Sequence, residues 1–165
     1  MNNSAPPKIH KFVFSLNILY TKKSMNSIFT QKMDKIEEAL NKALNMDFTP
    51  EWQNNTFGTL SSAVQKSYIQ TLIQPNKNLI DLGGKRWRPL LLILCYEYAA
   101  KTGKNPMDEE TAYALTPLVE FVHTASLIHD DIEDSADLRR GKPAAHITYG
   151  TDTAINCASW LYFQA

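Results

Sequence analysis

His123-Thr124-Ala125-Ser126-Leu127-Ile128-His129-Asp130-Asp131-Ile132-Glu133-Asp134 is the stretch on which the reading of this 165-residue chain turns. Its apolar residues recur at helical rather than alternating spacing, so it reads as the last turns of an α-helix. At about 100° per residue, Asp130 and Asp134 fall one turn apart on one face, and His123 lies within about 20° of the same line. Two carboxylates and an imidazole therefore look the same way. Like charges one turn apart are unfavourable on a bare helix, and acids at a helix C-terminus oppose the helix dipole. A cation between the carboxylates relieves both penalties. Hard oxygen ligands suit Mg²⁺, which takes one or two carboxylates and completes its shell with water and phosphate. The competing reading is a solvated acidic helix end.

Outward from this segment the helical spacing continues. Asp108, Glu109 and Glu110 put negative charge where a helix N-terminus favours it, which predicts one long segment from there to about Asp134, kinked at Pro117. Upstream, Met33, Ile36, Leu40, Ala43 and Leu44 form one apolar stripe, and Leu60, Val64, Tyr68 and Leu72 a second. A polar stretch around Pro50 separates them, and Pro75 to Gly84 reads as a loop from its Pro, Asn and paired Gly residues. A helix is expected to resume near Pro89 and run to Lys101, ended by Gly103 and Pro106; being apolar on nearly every side, it should be buried. Downstream, Leu138 to Pro143 reads as a turn. Thr151 to Ala165 carries Ala154, Ala158 and Leu161 in helical register with no stop signal, so the chain is expected to end in mid-helix. With no alternating strand pattern and no internal repeat, the fold class is all-α.

Two basic clusters flank the acidic helix end in sequence. Gly83-Gly84-Lys85-Arg86-Trp87-Arg88-Pro89 places three cations in four residues just before a helix. Flexible glycines, guanidinium donors and a helix N-terminus make a good anion site, particularly for diphosphate; a solvated basic loop is the plainer alternative. Leu138-Arg139-Arg140-Gly141-Lys142-Pro143 is a basic turn a few residues after Asp134. An acidic face between two basic loops is the arrangement that a metal-bridged phosphate substrate requires.

The ordered combination GGKRWRP, DDIED and DLRRGKP resembles the trans-prenyltransferase, or polyprenyl synthetase, family, over roughly Leu60 to Ala165. The resemblance implies a helical bundle of the isoprenoid-synthase type, here about its first half. It implies that Lys85, Arg88 and His123, joined by Arg140, hold the diphosphate of isopentenyl diphosphate. Asp130 and Asp134 would bind Mg²⁺ bridging to an allylic diphosphate, and Arg139 would contact that diphosphate. Asp131 belongs to the motif but points about 100° away, which makes it a supporting metal-site residue. The implied chemistry is ionisation of the allylic substrate, attack by the alkene and loss of a proton, driven by electrostatic stabilisation of the leaving group. Ala125 and Ser126, one turn before Asp130, are small where short-chain members commonly carry an aromatic. They point to a medium or long polyprenyl product, with Val122, deeper on the helix, also setting the floor of the pocket. Members of the family are usually homodimers.

The family's second aspartate-rich motif is absent, since Asp152 is the one acid after Asp137. Cys157-Ala158-Ser159 stands where many relatives have a glycine and an aspartate. The chain alone is therefore expected to bind diphosphate poorly and to be catalytically incompetent. Residues 25–165 are expected to be the N-terminal part of the synthase domain and residues 1–24 a disordered extension. A targeting peptide is the other reading of 1–24, but the segment has no arginine and its lysines fall on both sides of the apolar run.

Seventeen basic against seventeen acidic residues leave a formal net charge of zero, so no global field favours nucleic acid or an acidic membrane surface. The runs Phe12 to Tyr20 and Leu90 to Cys95 are too short to span a bilayer. Cys95 and Cys157 sit in no metal-type spacing and are expected to be buried packing thiols in a reducing, cytoplasmic setting. Two other functions compete with this reading. A metal-dependent phosphohydrolase draws on the His129-Asp130 pair but lacks separated His and Asp ligands. A non-catalytic partner subunit of a synthase would be expected to lose the aspartates that are present here.

Overall fold

The computed structural model describes the backbone of residues 9–103 and 107–165 and the side chains of residues 26–103 and 107–165. The expectation for residues 1–24 falls wholly outside the described side chains and, for residues 1–8, outside the described backbone; Pro106 lies outside the described residues altogether. The chain divides into two units, Met1–Lys35 and Ile36–Ala165. Residues 9–35 of the first belong to helix α1 (Ile9–Ala43), within which Thr30 Oγ1 donates to the Asn26 carbonyl at 2.9 Å.

The second unit is built from the C-terminal turns of α1, then α2 (Pro50–Phe57), α3 (Lys66–Asp81), α4 (Trp87–Lys101), α5 (Glu109–Ala114), α6 (Thr116–Glu133), α7 (Ala145–Tyr149) and α8 (Thr151–Gln164). Between α6 and α7 lies a hairpin of two short strands, β1 (Leu138–Arg139) and β2 (Lys142–Pro143). The all-α expectation holds, with this hairpin as an addition. The turn expected at 138–143 is closed by Arg140 and Gly141, whose positive φ values of 52° and 75° suit a two-residue hairpin connection.

Helix α8 lies between α3 and α6, and α6 lies between α8 and α4. Small residues make this close packing possible: Ala154 and Ala158 of α8 and Ala125 of α6 have no exposed surface. Leu161, Ile128, Ile73 and Ile93 fill the remaining space as fully buried side chains.

Several local expectations are corrected. Pro50 starts a helix instead of lying in a plain connection, because Thr49 caps it by accepting the Trp52 N–H at 3.2 Å. The segment expected to kink at Pro117 is two helices: α5 ends at Leu115, and Pro117 takes the first turn of α6, where its missing N–H costs nothing. The second stripe is shifted: Leu60 and Val64 lie outside any helix, in the turn-containing segment before α3. Val64 and Tyr68 are exposed, and α3 buries Ile69, Ile73, Asn76, Leu79 and Ile80 instead.

The supposed loop at Pro75 is the middle of α3. Proline at this position leaves the Thr71 carbonyl without its helical donor. The Cys157 thiol of α8 donates to that oxygen at 3.4 Å, and Asn76 Nδ2 donates to the Cys157 carbonyl at 2.8 Å. A feature that reads as a loop in sequence is thus accepted into a helix because a neighbouring helix replaces the lost bond.

Helix α4 is not buried all round. Pro89 and Ile93 are enclosed, but Leu91, Leu94 and Tyr98 are exposed, because among the described residues α4 packs mainly on α6 along one face. Cys95 follows that exposed side and is solvent-accessible, contrary to expectation, whereas Cys157 is buried; both thiols are free. Burial pushes the Cys157 thiol up to about 11. Under native conditions Ellman's reagent should therefore modify Cys95 quickly and reach Cys157 only after denaturation. Fast reaction of both thiols in the folded chain would contradict this packing.

Candidate functional site

The site is organised on the outward face of α6. The inward face carries Pro117, Phe121, Thr124, Ala125 and Ile128, all buried. Asp130 and Asp134 lie on the other side and are exposed, one turn apart, with the Asp134 N–H donating to the Asp130 carbonyl at 2.8 Å. Among the described residues neither carboxylate is held in an ion pair. No three His, Cys, Asp or Glu side chains among the described residues gather into a cage able to hold an ion by themselves.

Helix α6 stops in a way that turns the chain back on itself. Ser135 takes a left-handed conformation (φ 52°), its N–H donates to the Ile132 carbonyl, and the Ala136 N–H donates to the Asp131 carbonyl at 2.8 Å. The hairpin that follows is thereby folded against α6. Arg139 Nε donates to Asp131 Oδ1 at 2.8 Å, and its Nη2 bonds the same oxygen. The Asp131 side chain is 1% exposed, so this pairing occupies it from inside and leaves it off the open face. The Arg139 proton is held more tightly than usual, first by the Asp131 hydrogen bond and then by the charges of Asp131, Asp130 and Asp134, against a cost of burial. Arg139 therefore sits within the field of all three aspartates.

Arg140 faces the other way. Its Nη1 donates to the Leu79 carbonyl at 3.0 Å and also to the Gly83 carbonyl. An added Cβ at Gly84 would lie 3.2 Å from Arg140 Nη2, so the two basic segments, far apart in sequence, are packed together. Both basic loops bear on His123. The imidazole is held below its ordinary value of 6.5, first by burial, then by the positive charges of Arg88, Arg140 and Arg139, with Glu120 opposing.

Of the residues singled out in sequence, Arg139 bonds Asp131 directly, while Arg88, Arg139 and Arg140 reach His123 through their charge. Lys85 stands exposed on the loop, and Arg88 is half-buried with its guanidinium 4.5 Å from the Trp87 ring centroid. Ala125 lies on the enclosed side of α6, while Ser126 is half-buried with its hydroxyl donating to the His123 carbonyl at 2.8 Å, and Val122 is exposed. His129 stacks on Tyr162, ring centroids 5.7 Å apart, which gives it a packing partner of its own.

The residue that sequence reasoning missed is Arg86. It had counted as one of three loop cations, yet it is 3% exposed and points inward. Its Nη1 donates to Glu120 Oε1 at 2.7 Å, its Nε to Glu37 Oε1 at 2.7 Å, and its Nη2 to the Ile80 carbonyl at 2.7 Å. Burial alone would lower its affinity for the proton, but Glu37 and Glu120 outweigh that and raise it. The available signal was Glu120 itself, an acid on the otherwise inward face of α6, which calls for a buried cation.

Removing Glu120, whose side chain is 3% exposed, leaves a buried guanidinium under-compensated, so Glu120→Ala should cost about 3–5 kcal/mol in urea unfolding. Glu37→Ala should cost clearly less, since Glu37 is 43% exposed and water can replace it. Equal losses would contradict the geometry. The depressed His123 sets a second expectation. Between its folded value and 6.5 the unfolded chain binds more protons, so stability rises with pH through that window and is level above it with respect to this group. His123→Gln should flatten that rise in urea midpoints; an unchanged slope would count against it.

Residues 69–165, more than half of the chain, match the profile of the polyprenyl synthetase family. A short chain isoprenyl diphosphate synthase of Methanothermobacter thermautotrophicus is 40% identical over 120 residues, covering 73% of this chain and 35% of that protein. A geranylgeranyl diphosphate synthase of Methanosarcina mazei is 40% identical over 96 residues, 58% of this chain and 28% of its own length. Among solved structures, heptaprenyl diphosphate synthase of Staphylococcus aureus superposes with a TM-score of 0.59 at 28% identity, over 82% of this chain and 35% of that one. A polyprenyl synthase of Caulobacter crescentus, complexed with calcium and isoprenyl diphosphate, does so with a TM-score of 0.58 at 25% identity, over 84% of this chain and 34% of that one. The chain thus spans about a third of the length of these relatives. The match and the basic and acidic segments inside it agree: this chain belongs to the polyprenyl synthetase family.

Proposed function

We propose that the chain carries one wall of a prenyltransferase site that joins isopentenyl diphosphate to an allylic diphosphate, giving a polyprenyl diphosphate. The observation that carries this reading is that the hairpin joins the two charged segments: Arg139 bonds Asp131 at the acidic end of α6, and Arg140 bonds the Leu79 and Gly83 carbonyls beside the glycine loop. A relative solved with calcium and isoprenyl diphosphate supports the same assignment.

In this reading Lys85, Arg88 and His123, with Arg140 beside them, bind the diphosphate of isopentenyl diphosphate. A neutral imidazole among arginines can donate one hydrogen bond to a phosphate oxygen without adding a further charge. Asp130 and Asp134 fit Mg²⁺, being two exposed hard-oxygen donors one turn apart, neither held in an ion pair among the described residues. When bound, the ion supplies Lewis-acid stabilisation of a departing diphosphate. Arg139, held by Asp131, contacts the same leaving group, so Asp131 serves by orienting Arg139 more than by ligation. The second metal-binding aspartate motif of the family is not found in this sequence, so turnover requires groups beyond those described here.

Product length rests on Ser126 and Val122, which border the open face, more than on the enclosed Ala125. Their small or modest size fits a medium or long product. A homodimer in the cytoplasm completes the proposal; among the described residues no helix is long and apolar enough to cross a membrane. No observation favours a phosphohydrolase, since His129 is engaged with Tyr162.

The test is a pair of NMR titrations of the chain. Isopentenyl diphosphate should shift the His123 ring resonances without magnesium, with weak, roughly millimolar affinity. Inorganic pyrophosphate should gain a magnesium-dependent component that Asp130→Asn or Asp134→Asn weakens about tenfold, as for loss of a charge-assisted contact. Magnesium-dependent binding that is unchanged in both variants would remove the metal role.

A further inference from the structure

Arg86 lies between Lys85 and Trp87, both exposed, yet is itself buried, so the loop alternates outward, inward, outward. The alternation is imposed at a cost to the backbone, since Arg86 is a non-glycine residue at φ 45° and ψ 31°. Its three nitrogens are each met by a different acceptor at 2.7 Å: Glu37 from α1, the Ile80 carbonyl near the end of α3, and Glu120 of α6. Glu120 precedes His123 by three residues on the same helix, so the bond that holds Arg86 also fixes the loop relative to His123. Arg140 bonds the Leu79 and Gly83 carbonyls just before this segment. The segment bearing Lys85 and Arg88 is therefore held from within by Arg86, and on its N-terminal side by Nη1 of Arg140.

We propose that Arg86, through its buried pairing with Glu120 and Glu37, is a positioning residue that sets Lys85 and Arg88 for diphosphate beside His123. The inference rests on the reading of Lys85, Arg88 and His123 as the diphosphate grip, and goes beyond it by assigning the loop's geometry to a cation that touches no substrate. Preset cations bind diphosphate without first paying the ordering entropy of two long side chains and a glycine loop. A lysine at position 86 keeps the charge but offers no fork able to reach three acceptors in three directions.

The experiment is a double-mutant cycle on pyrophosphate affinity in the full chain, read from the His123 resonances, with circular dichroism and urea unfolding to confirm that each variant is folded. Lys85→Ala should weaken binding about tenfold in the parent but less than about threefold in Arg86→Lys, because a misaligned loop has already lost that contact. Glu120→Gln, which keeps an acceptor for Arg86, and Glu37→Gln, at a half-exposed position, should weaken binding by smaller steps in that order. If Arg86→Lys is not folded, the same cycle with Glu37→Gln decides the matter. Folded variants that bind as the parent does, or a cycle in which the two losses simply multiply, would overturn the positioning role while leaving the diphosphate site intact. If Lys85→Ala and Arg88→Ala have no effect on binding by the parent, the site reading fails and the positioning role fails with it.

Discussion

A guanidinium enclosed by protein must be met by acceptors on every side, and the way Arg86 is met ties four helices of the second unit together. Its acceptors come from the C-terminal part of α1, the end of α3 and the inward face of α6, and it stands itself at the start of α4. Four helices are thus referred to one side chain. Such an arrangement contributes little net stability compared with an apolar core of the same volume, but it penalises every alternative register strongly, because any slip strands a charge. Directional bonds set the angle of the loop at residues 83–88; apolar contacts alone would leave it free to rotate.

Helix α6 carries two kinds of information on opposite faces. Inward, Ala125 and Ile128 let α8 approach closely; outward, His123, Asp130 and Asp134 form a line of groups suited to phosphate and metal. Asp131 joins the faces. It is buried, and by holding Arg139 it draws the hairpin back so that an arginine returns to the acidic end of the helix from which the chain has just departed. The acidic end, unfavourable with respect to the helix dipole, is offset by that returning cation. Packing and candidate chemistry are coupled through the residues that sit between them.

Much of this was readable from sequence, and the failures have physical causes. Class, the helical register of residues 123–134 and the three charged segments depend on local periodicity and composition, which a single chain displays directly. Pro75 could not be read correctly, because what admits it to α3 is the Cys157 thiol some eighty residues away. The stripe Leu60 to Leu72 failed for a related reason: its start lies in non-helical chain ahead of α3, and the neighbouring α8 selects Ile69 to Ile80 as the buried side. The burial of α4 was overestimated because an all-round apolar helix reports what it could cover, not which of its sides has a neighbour. Arg86 was hidden among cations of the same type. Glu120 pointed to it, yet linking the two requires knowing that the loop and the inward face of α6 meet.

The central claim, that a buried Arg86 organises the loop and the helix around it, is open to a direct measurement: hydrogen exchange of arginine side chains in ¹⁵N-labelled chain, resolved by residue. The account predicts that the Arg86 Nε–H exchanges far more slowly than that of Arg88 and shows distinct, non-averaged Nη resonances, as a guanidinium held on three sides must. An Arg86 signal that exchanges as fast as a free arginine and averages like one would contradict it.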